Sequence, residues 1–391
     1  MARYEKDWEV KTDLKILGEV KGQSSGKSNY CFQVGDTIHA VVFEYELVNS
    51  LKSEFRIRPL LVRMTSSGYT TEVLADWKSN HSEHPFFHAI RLCRSTDNPS
   101  VIHIAWVNGV RVYYKMGTIV NENSITWSDT RDTGWNSGSD SLSIITDLGG
   151  YPWLAYANEN YLIDSMILRR SSTKNGVFTN DPSGYLEVGY PSAVDCELGQ
   201  LDTGIKMILL YRKKKSETEV GVFKRIYNGG WLDEVDQFWE TNAHGFRLGR
   251  LSDRIGVIYV SGSYLKYRAA YWEDFGPSET IPILQTDFIE GLGISRGIVG
   301  GSPSNGWIVW YQDQRLPLIR GYSYYPQVHF AKIENYGSWA DFEGFQGKGL
   351  FAIEPYGTDS LACVTLLPST SESQDGGLSY FLGALSLKKV V

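Results

Sequence analysis

Three histidines lie close together in one short polar segment of the sequence. His81 and His84 flank Glu83, and His88 follows four residues after His84. Imidazole and carboxylate groups bind zinc in many proteins, and a histidine can act as a general base near neutral pH. A metal site needs a third or fourth convergent ligand, and the sequence offers none, so we predict no metal site. His81 and His84 remain ligand-binding candidates.

Carboxylates suited to sugar chemistry are spread over several predicted loops. Glycoside hydrolysis uses two carboxyl groups, one as the acid and the other as the base or nucleophile. The chain has 45 acidic residues, so loops contain several by chance and no single pair stands out. Those in suitable loops are Asp132, Asp140, Glu159, Glu240 and Asp313.

Arginine and aromatic side chains supply the other groups that a sugar site needs. A guanidinium binds a carboxylated sugar through paired hydrogen bonds, and Tyr and Trp rings stack on sugar rings. The candidates of these types are Arg296, Arg315, Arg320, Trp135, Tyr161, Tyr322, Tyr324 and Tyr325, and His244 lies in a loop of the same set.

Composition and motifs exclude several classes of function. The net charge of −7 gives no reason to expect a nucleic-acid or anionic-membrane partner, and no apolar run is long enough to span a bilayer. No Gly-rich phosphate loop, zinc signature or nucleotide fingerprint is present, so we predict no cofactor.

The N-terminus lacks the apolar segment of a signal peptide. We therefore expect a cytoplasmic or virion-associated protein unless a signal was removed. The oligomeric state is left open.

The four cysteines indicate packing rather than metal or disulfide chemistry. Cys31, Cys93, Cys196 and Cys363 form no Cys-x-x-Cys pair, and each lies in an apolar stretch. We predict small buried hydrophobic residues at these positions.

An internal repeat indicates the elements that must position the candidate residues. One short apolar segment recurs seven times, about 54 residues apart on average, and it often ends in an aromatic residue. The copies begin at Ile38, Ile102, Pro152, Met207, Ile255, Gly306 and Leu361. Further strand-like segments flank each copy. Four strands per repeat at this period are typical of β-propeller blades, which must stack on one another to cover both faces.

The predicted fold is therefore all-β, a single seven-bladed β-propeller over residues 1–391, with six blades as the alternative. The last repeat lacks a fourth strand, and an unpaired strand at 13–21 would close the ring by pairing with it. The predicted blades span about 28–80, 81–130, 131–182, 183–238, 239–286, 287–342 and 343–391.

Aromatic residues that end the repeat copies recur at one blade position, so we predict packing between blades for them. They are Trp106, Tyr156, Tyr211, Tyr259 and Trp310. Much of the high content of aromatic residues, which make up 13% of the chain, is thereby assigned to the core.

One segment carries a family resemblance. Thr146-Asp-Leu-Gly-Gly-Tyr-Pro-Trp-Leu-Ala-Tyr156 resembles the inner hairpin of sialidase-like (BNR-repeat) propellers. Ser128-Asp-Thr-Arg-Asp-Thr-Gly-Trp135 resembles their Ser-x-Asp-x-Gly-x-Thr-Trp turn, with altered spacing and without the terminal Thr-Trp. The resemblance implies the superfamily's fold. Sialidases proper have six blades, an arginine triad and a Tyr–Glu nucleophile pair, and no residue here matches those roles by position.

Three functions fit these features. The favoured one is a non-catalytic propeller that recognises a glycan or a protein through loops on one face. The alternative is a carbohydrate-active enzyme, sialidase-like or polysaccharide-degrading, with its site at the mouth of the central channel. The third is an assembly scaffold.

Overall fold

The structure is a computed structural model of the chain. The residues that it describes are 3–12, 31–49, 54–80, 90–108, 111–136, 142–160, 163–179, 185–189, 196–200, 206–216, 219–237, 239–240, 243–250, 255–262, 264–271, 274–280, 289–294, 306–318, 321–334, 338–346, 350–356, 360–372 and 378–390.

Short apolar segments separated by Gly-, Asn- and Ser-rich turns fold as β-strands throughout the described residues, and no helix occurs among them. Consequently the described part of the chain has no helix that could cross a membrane. The first half contains β1 (Arg3–Thr12), β2 (Cys31–Val34), β3 (Thr37–Asn49), β4 (Glu54–Thr65), β5 (Gly68–Val73), β6 (Trp77–Asn80), β7 (Ile90–Arg94), β8 (Val101–Asn108), β9 (Arg111–Asn121), β10 (Ser124–Trp127), β11 (Arg131–Asn136), β12 (Leu142–Thr146), β13 (Pro152–Asn160), β14 (Ile163–Arg170) and β15 (Tyr185–Gly189).

The second half continues in the same manner. It contains β16 (Cys196–Gln200), β17 (Met207–Lys214), β18 (Val220–Tyr227), β19 (Val235–Asp236), β20 (Ala243–Arg250), β21 (Ile255–Ser261), β22 (Tyr264–Tyr271), β23 (Asp274–Phe275), β24 (Glu279–Thr280), β25 (Ile289–Ile294), β26 (Gly306–Leu318), β27 (Gly321–Glu334), β28 (Ser338–Gln346), β29 (Leu350–Tyr356), β30 (Ser360–Glu372) and β31 (Leu378–Val390).

These strands form seven open antiparallel sheets in which consecutive strands pair as hairpins. In chain order, sheet 1 is β2–β6, sheet 2 is β7–β11, sheet 3 is β12–β15, sheet 4 is β16–β19, sheet 5 is β20–β24 and sheet 6 is β25–β28. Sheet 7 contains β29–β31 and also β1, which pairs with β31. The N-terminal strand that completes sheet 7 is therefore Arg3–Thr12, and the predicted segment 13–21 lies outside the described residues.

Two strands fall on the other side of predicted blade boundaries. Arg131–Asn136 was expected to open the third blade, but it pairs with β9 and extends sheet 2. Tyr185–Gly189 was expected in the fourth blade, but it pairs with β14 as the outer strand of sheet 3. In both cases the chain pairs with the third strand of the same sheet before it starts a new sheet, which reduces the exposed edge.

The sheets contact one another through their first strands in chain order. β7 contacts β12, β12 contacts β16, β16 contacts β20, β20 contacts β25 and β25 contacts β29. Sheet 1 contacts sheet 2 through β3 and β7, and it contacts sheet 7 through β2 and β29. Each sheet from 1 to 7 therefore touches both the sheet before it and the sheet after it.

Apolar clusters fill the spaces between neighbouring sheets. Separate clusters join sheets 1 and 2, sheets 2 and 3, sheets 3 and 4, and sheets 4 and 5. The residues that end the repeat copies lie in them, with Trp106, Tyr156, Tyr211 and Tyr259 at most 1% exposed. This confirms the predicted packing role of these four, and the side chain of Trp310 is not described. Cys31 and Cys93 are likewise buried.

The segment that resembles the sialidase-like hairpin is organised by one buried carboxylate. Asp147 is 0% exposed, and its Oδ1 accepts the backbone N–H groups of Gly149 and Tyr151 at 3.0 Å. Its Oδ2 accepts Nε1 of Trp153 at 3.2 Å and Nε of Arg170 at 3.0 Å. Gly150 in this turn has a φ of 79°, which a glycine adopts without strain. The motif thus fixes a turn and ties it to the next strand.

A buried histidine bridges sheets 1 and 2. His39 stacks on Phe32 at a centroid distance of 4.6 Å, and its Nε2 lies 2.9 Å from the carbonyl oxygen of Glu122. Burial, assisted by the positive charges of Arg63 and Arg94, lowers the pKa of His39 from 6.5 to about 4. His39 is therefore neutral in the folded protein at physiological pH.

Replacing Asp147 with Asn should lower the free energy of unfolding by about 3 kcal/mol, because Arg170 would lose its charged partner at a buried site. The matched control is Asp76→Asn, which breaks a solvent-exposed pair with Arg56 and should change the stability much less. Urea unfolding at neutral pH measures both. Equal costs for the two variants would contradict the structural role of Asp147.

The stability of the protein should fall as the pH drops from 6.5 to 4, because the unfolded chain protonates His39 and the folded protein does not. The loss attributable to His39 is about 3 kcal/mol and is complete near pH 4. His39→Gln, which keeps a donor towards the Glu122 carbonyl, should lose less stability over this range. Urea unfolding at both ends of the range compares the two proteins, and parallel losses would refute the assignment.

Candidate functional site

The first and second strands of each sheet are antiparallel neighbours, so the start of the first strand and the end of the second lie at the same end of the sheet. We call this end of the strands the candidate edge, since most of the predicted ligand-binding residues belong to loops there. Eight of them lie in strands at or near this edge and are described by backbone only: Trp135, Glu159, His244, Asp313, Arg315, Tyr322, Tyr324 and Tyr325.

The remaining predicted residues divide into two groups. Glu240 and Asp132 are described with their side chains, Glu240 just before the first strand of sheet 5 and Asp132 in β11. The others lie outside the described residues, and their roles stay predictions: His81, His84, Asp140, Tyr161, Arg296 and Arg320.

The structure distributes the placed residues unevenly over the sheets. His244 and Glu240 belong to sheet 5, and Asp313, Arg315 and Tyr322 belong to the neighbouring sheet 6. Register places Arg315 opposite Tyr324 and Tyr322 opposite Pro317. Glu159 lies in sheet 3 and Trp135 in sheet 2, so neither is next to the first group.

Glu240 lies in a cluster of polar and aromatic side chains between sheets 4 and 5. Its Oε1 accepts Nζ of Lys266 at 2.6 Å, and its Oε2 accepts the hydroxyl of Tyr259 at 3.2 Å. Nε of Arg268 donates to the same hydroxyl at 2.9 Å. The ring of Trp239 stacks on Tyr259 at 4.9 Å, with the Arg268 guanidinium 5.0 Å above it.

The environment fixes the charge state of this cluster. Partial burial alone would raise the pKa of Glu240, but the hydrogen bond and charge of Lys266 outweigh it, so the pKa lies below its usual value. Burial raises the pKa of Tyr259 despite the opposing effect of Arg268. At neutral pH Glu240 is therefore ionised and Tyr259 is a neutral phenol.

Sheet 4 contains a similar arrangement that sequence reasoning missed. The hydroxyl of Tyr211 donates to Glu234, and Nζ of Lys213 donates to the same carboxylate at 2.8 Å. Tyr211 and Tyr259 occupy the same position in successive repeats, and both are 0% exposed. Because the tyrosines are buried, both clusters connect strands rather than present a phenol to a ligand. The repeat position of the tyrosines was the available sequence signal, whereas their partners follow only from register.

A third buried polar pair has the same character. Nδ1 of His103 lies 2.6 Å from the hydroxyl of Tyr114, and both side chains are 0% exposed. Burial raises the pKa of Tyr114. The pair packs between sheets 2 and 3, away from solvent.

The first strands of three consecutive sheets are irregular near the candidate edge. The register shifts after His244 in β20, after Glu290 in β25 and after Leu350 in β29. By contrast, the first strands of sheets 1 to 4 pair without a shift. Such β-bulges redirect side chains and are frequent beside active sites. Sequence reasoning missed Glu290, and no sequence pattern marks the bulge.

The hairpins that join second and third strands also differ among the sheets. Beyond the residue paired with the start of the first strand, the second strand runs through 313–318 in sheet 6, 366–372 in sheet 7 and 41–49 in sheet 1. In sheet 2 it runs only through 107–108, and in sheet 5 it ends at Ser261, the partner of Ala243. The hairpins of sheets 6, 7 and 1 thus project about 20 to 30 Å beyond the starts of their first strands.

Among the described residues, no group of three or more His, Cys, Asp or Glu side chains is arranged to hold a metal ion.

Comparison with known proteins identifies similar folds among solved structures, but no related sequence. No protein-family model matches the sequence, and no curated protein matches it. The structure is similar to that of the polysaccharide lyase Uly1, with a TM-score of 0.53 and 10% identity over 99% of this chain and 100% of that one. A polysaccharide-lyase ulvan lyase bound to -[GlcA(1-4)Rha3S]- gives a TM-score of 0.49 at 9% identity, covering 91% and 93% of the two chains. An α-L-arabinofuranosidase from Fusarium graminearum gives 0.45 at 10% identity, covering 96% of each.

The chain is accordingly an all-β protein of the β-propeller type, similar in fold to carbohydrate-active proteins. The narrower resemblance to sialidase-like propellers stays a prediction, because no family model matches.

The functional preference drawn from the sequence is corrected at this point. The sequence favoured a non-catalytic binding protein, because no catalytic motif stands out in it. That preference is corrected, because the solved structure that the chain resembles along its whole length is that of a polysaccharide lyase. The enzyme alternative is taken forward below.

Tyr259→Phe should lower the free energy of unfolding by about 1 to 2 kcal/mol, because Glu240 loses a donor and Arg268 loses an acceptor in a partly buried cluster. Tyr264→Phe on the neighbouring strand is the control, because Tyr264 is 49% exposed and its change should have little effect. Urea unfolding gives both values. Unchanged stability in Tyr259→Phe would show that the cluster does not hold sheet 5 in place.

Proposed function

We propose that this protein is a seven-bladed β-propeller enzyme that cleaves an acidic polysaccharide where the candidate edges of sheets 5 and 6 meet. The observation that carries the proposal is the run of three bulged first strands in sheets 5, 6 and 7. The first strands of sheets 1 to 4 pair without a shift, and two of the three bulges follow ionisable residues, His244 and Glu290.

The ring of seven blades is supported by the order of contacts. Every first strand lies against its successor, apart from sheets 1 and 2, where β3 meets β7, and β29 returns to β2. The N-terminal strand β1 lies on β31 and supplies the last blade with its fourth strand. In such a ring the seven candidate edges form one face of the molecule, called here the candidate face.

An acidic polysaccharide is supported by fold and by residue type together. The chain resembles a polysaccharide lyase over the whole length of both proteins. Cleavage of a uronic-acid chain by β-elimination needs a cation that stabilises the sugar carboxylate, a base that removes the neighbouring proton and an acid for the leaving oxygen. His244 in sheet 5 and Arg315 and Tyr322 in sheet 6 are residues of these types on adjacent sheets.

In this reaction His244 takes the proton next to the carboxylate, and the electron pair forms the carbon–carbon double bond. The bond from the adjacent carbon to the glycosidic oxygen breaks, and Tyr322 protonates that oxygen. Arg315 holds the carboxylate and stabilises the negative charge that develops on it. Of the carboxylates that hydrolysis could use, Glu159 and Asp313 lie in sheets 3 and 6, which are not neighbours. Glu240 in sheet 5 is held by Lys266 and Tyr259.

His244→Ala and Arg315→Ala should each lower the rate of cleavage of a uronic-acid polysaccharide by about a hundredfold or more. Lys174→Ala is the control, because Lys174 is exposed on the turn that follows β14, at the edge opposite the candidate edge. Elimination is measured by the ultraviolet absorbance of the unsaturated product, and total cleavage by new reducing ends.

The two readouts separate the possible outcomes. Reducing ends that appear together with absorbance support elimination. Reducing ends without absorbance would mean hydrolysis and would overturn the roles given to His244 and Arg315. Absence of both signals on every acidic polysaccharide tested would overturn the proposed function.

A further inference from the structure

The long hairpin of sheet 1 has two chemically different faces. Glu44 and Arg58 are cross-strand partners and form an ion pair on one face. The other face carries Phe43 and Tyr45 on one strand and Phe55 on the other. Tyr45 and Phe55 are half-buried and stack at a centroid distance of 4.4 Å with 28° between their planes.

Side chains alternate between the two faces of a strand, and this alternation shows which neighbouring sheet the aromatic face is turned towards. His39 contacts Glu122 of sheet 2, and Tyr45 lies six residues further along the same strand without a register shift between them. Residues an even number of positions apart share a face of a strand. The ring of Tyr45 therefore lies on the side of the hairpin that faces sheet 2.

The described strands of sheet 2 end before the tip of the sheet 1 hairpin, so the rings of Tyr45 and Phe55 lie beyond the ends of those strands. We call this difference in strand length the step between sheets 1 and 2. Its second strand ends at Asn108 and its third begins at Arg111, far short of the sheet 1 hairpin. The candidate edge of sheet 2 carries an ion pair between Arg111 and Asp132, with 55% and 31% of their side chains exposed. Sugar-binding sites combine aromatic rings, which stack on the sugar ring, with exposed polar groups that hydrogen-bond to it.

We propose that Tyr45 and Phe55 form a distal sugar-stacking subsite that holds the polysaccharide several residues away from the bond being cleaved. The inference rests on the proposed function. In a ring of seven, the step between sheets 1 and 2 lies across the axis from sheets 5 and 6. An extended polymer that passes over the centre of the candidate face reaches both places, whereas a short oligosaccharide bound at sheets 5 and 6 does not.

The test is the full-length variant Tyr45→Leu with Phe55→Leu, which keeps apolar bulk in the hairpin and removes the flat rings. Its KM for the long polysaccharide should rise about tenfold, the equivalent of about 1.4 kcal/mol of lost stacking on the sugar rings. Its kcat, and its kinetics on short oligosaccharides, should stay unchanged. Tyr69→Leu is the matched control, because Tyr69 is 38% exposed beside the turn at the opposite edge of the same sheet.

Binding is measured separately by electrophoresis through gels that contain the polysaccharide, with thermal melting to verify that each variant is folded. If the wild type cleaves the polymer and the double variant keeps its KM and its retardation, the subsite is refuted while the proposed function stands. If the wild type is retarded without cleaving, and the double variant loses retardation, the subsite stands and the proposed function fails. A change in oligomeric state alone, seen by size-exclusion chromatography, would overturn the subsite by assigning these rings to contact between copies.

Discussion

The burial of both faces of the second strands in sheets 1 to 5 is the constraint on which the rest of the structure depends. In the second strand of a sheet, successive residues are all apolar, as in Met207 to Tyr211, so neither face can be left to solvent. A single four-stranded sheet cannot cover itself, and each one therefore packs between two neighbours. The clusters between sheets 1 and 5 show this directly, with alternate residues of one strand assigned to different clusters.

Two carboxylates within these interfaces are tolerated because each is matched by hydrogen-bond donors. Asp147 accepts backbone, indole and guanidinium donors, and Glu240 accepts an ammonium and a phenol. A buried carboxylate satisfied in this way is held in one orientation, and it also fixes the loop or strand that supplies its donors. Residue types associated with catalysis, such as Tyr with Glu or His with Tyr, thus occur here as connections between strands. Their burial separates them from the residues at the candidate edges.

The repeat made the all-β architecture predictable, because strands of one sheet recur at a nearly constant spacing and their aromatic ends share one packing position. Residues at 38, 102, 152, 207 and 255 all begin or lie in second strands of their sheets. The origin of the fourth strand in sheet 7 was less accessible, since Arg3–Thr12 alternates charged and apolar residues like many exposed segments. The candidate residues were harder still. Bulges after His244 and Glu290 depend on register, and register is set by pairing partners that the local sequence does not name.

Hairpin length is the feature that makes the repeated sheets differ at their candidate edges. Sheets 1 to 5 repeat a similar core, yet the second strands of sheets 6, 7 and 1 run well beyond the starts of their first strands, while those of sheets 2 and 5 stop near them. Extra residues in a hairpin leave the core unchanged, so these edges can vary without loss of the fold. The most direct test of the account is a crystal structure of the His244→Ala variant with an acidic oligosaccharide. The account predicts sugar density on the candidate face beside β20 and the β26–β27 hairpin. Sugar bound at the opposite edges of the sheets, or on their outer strands, would contradict it.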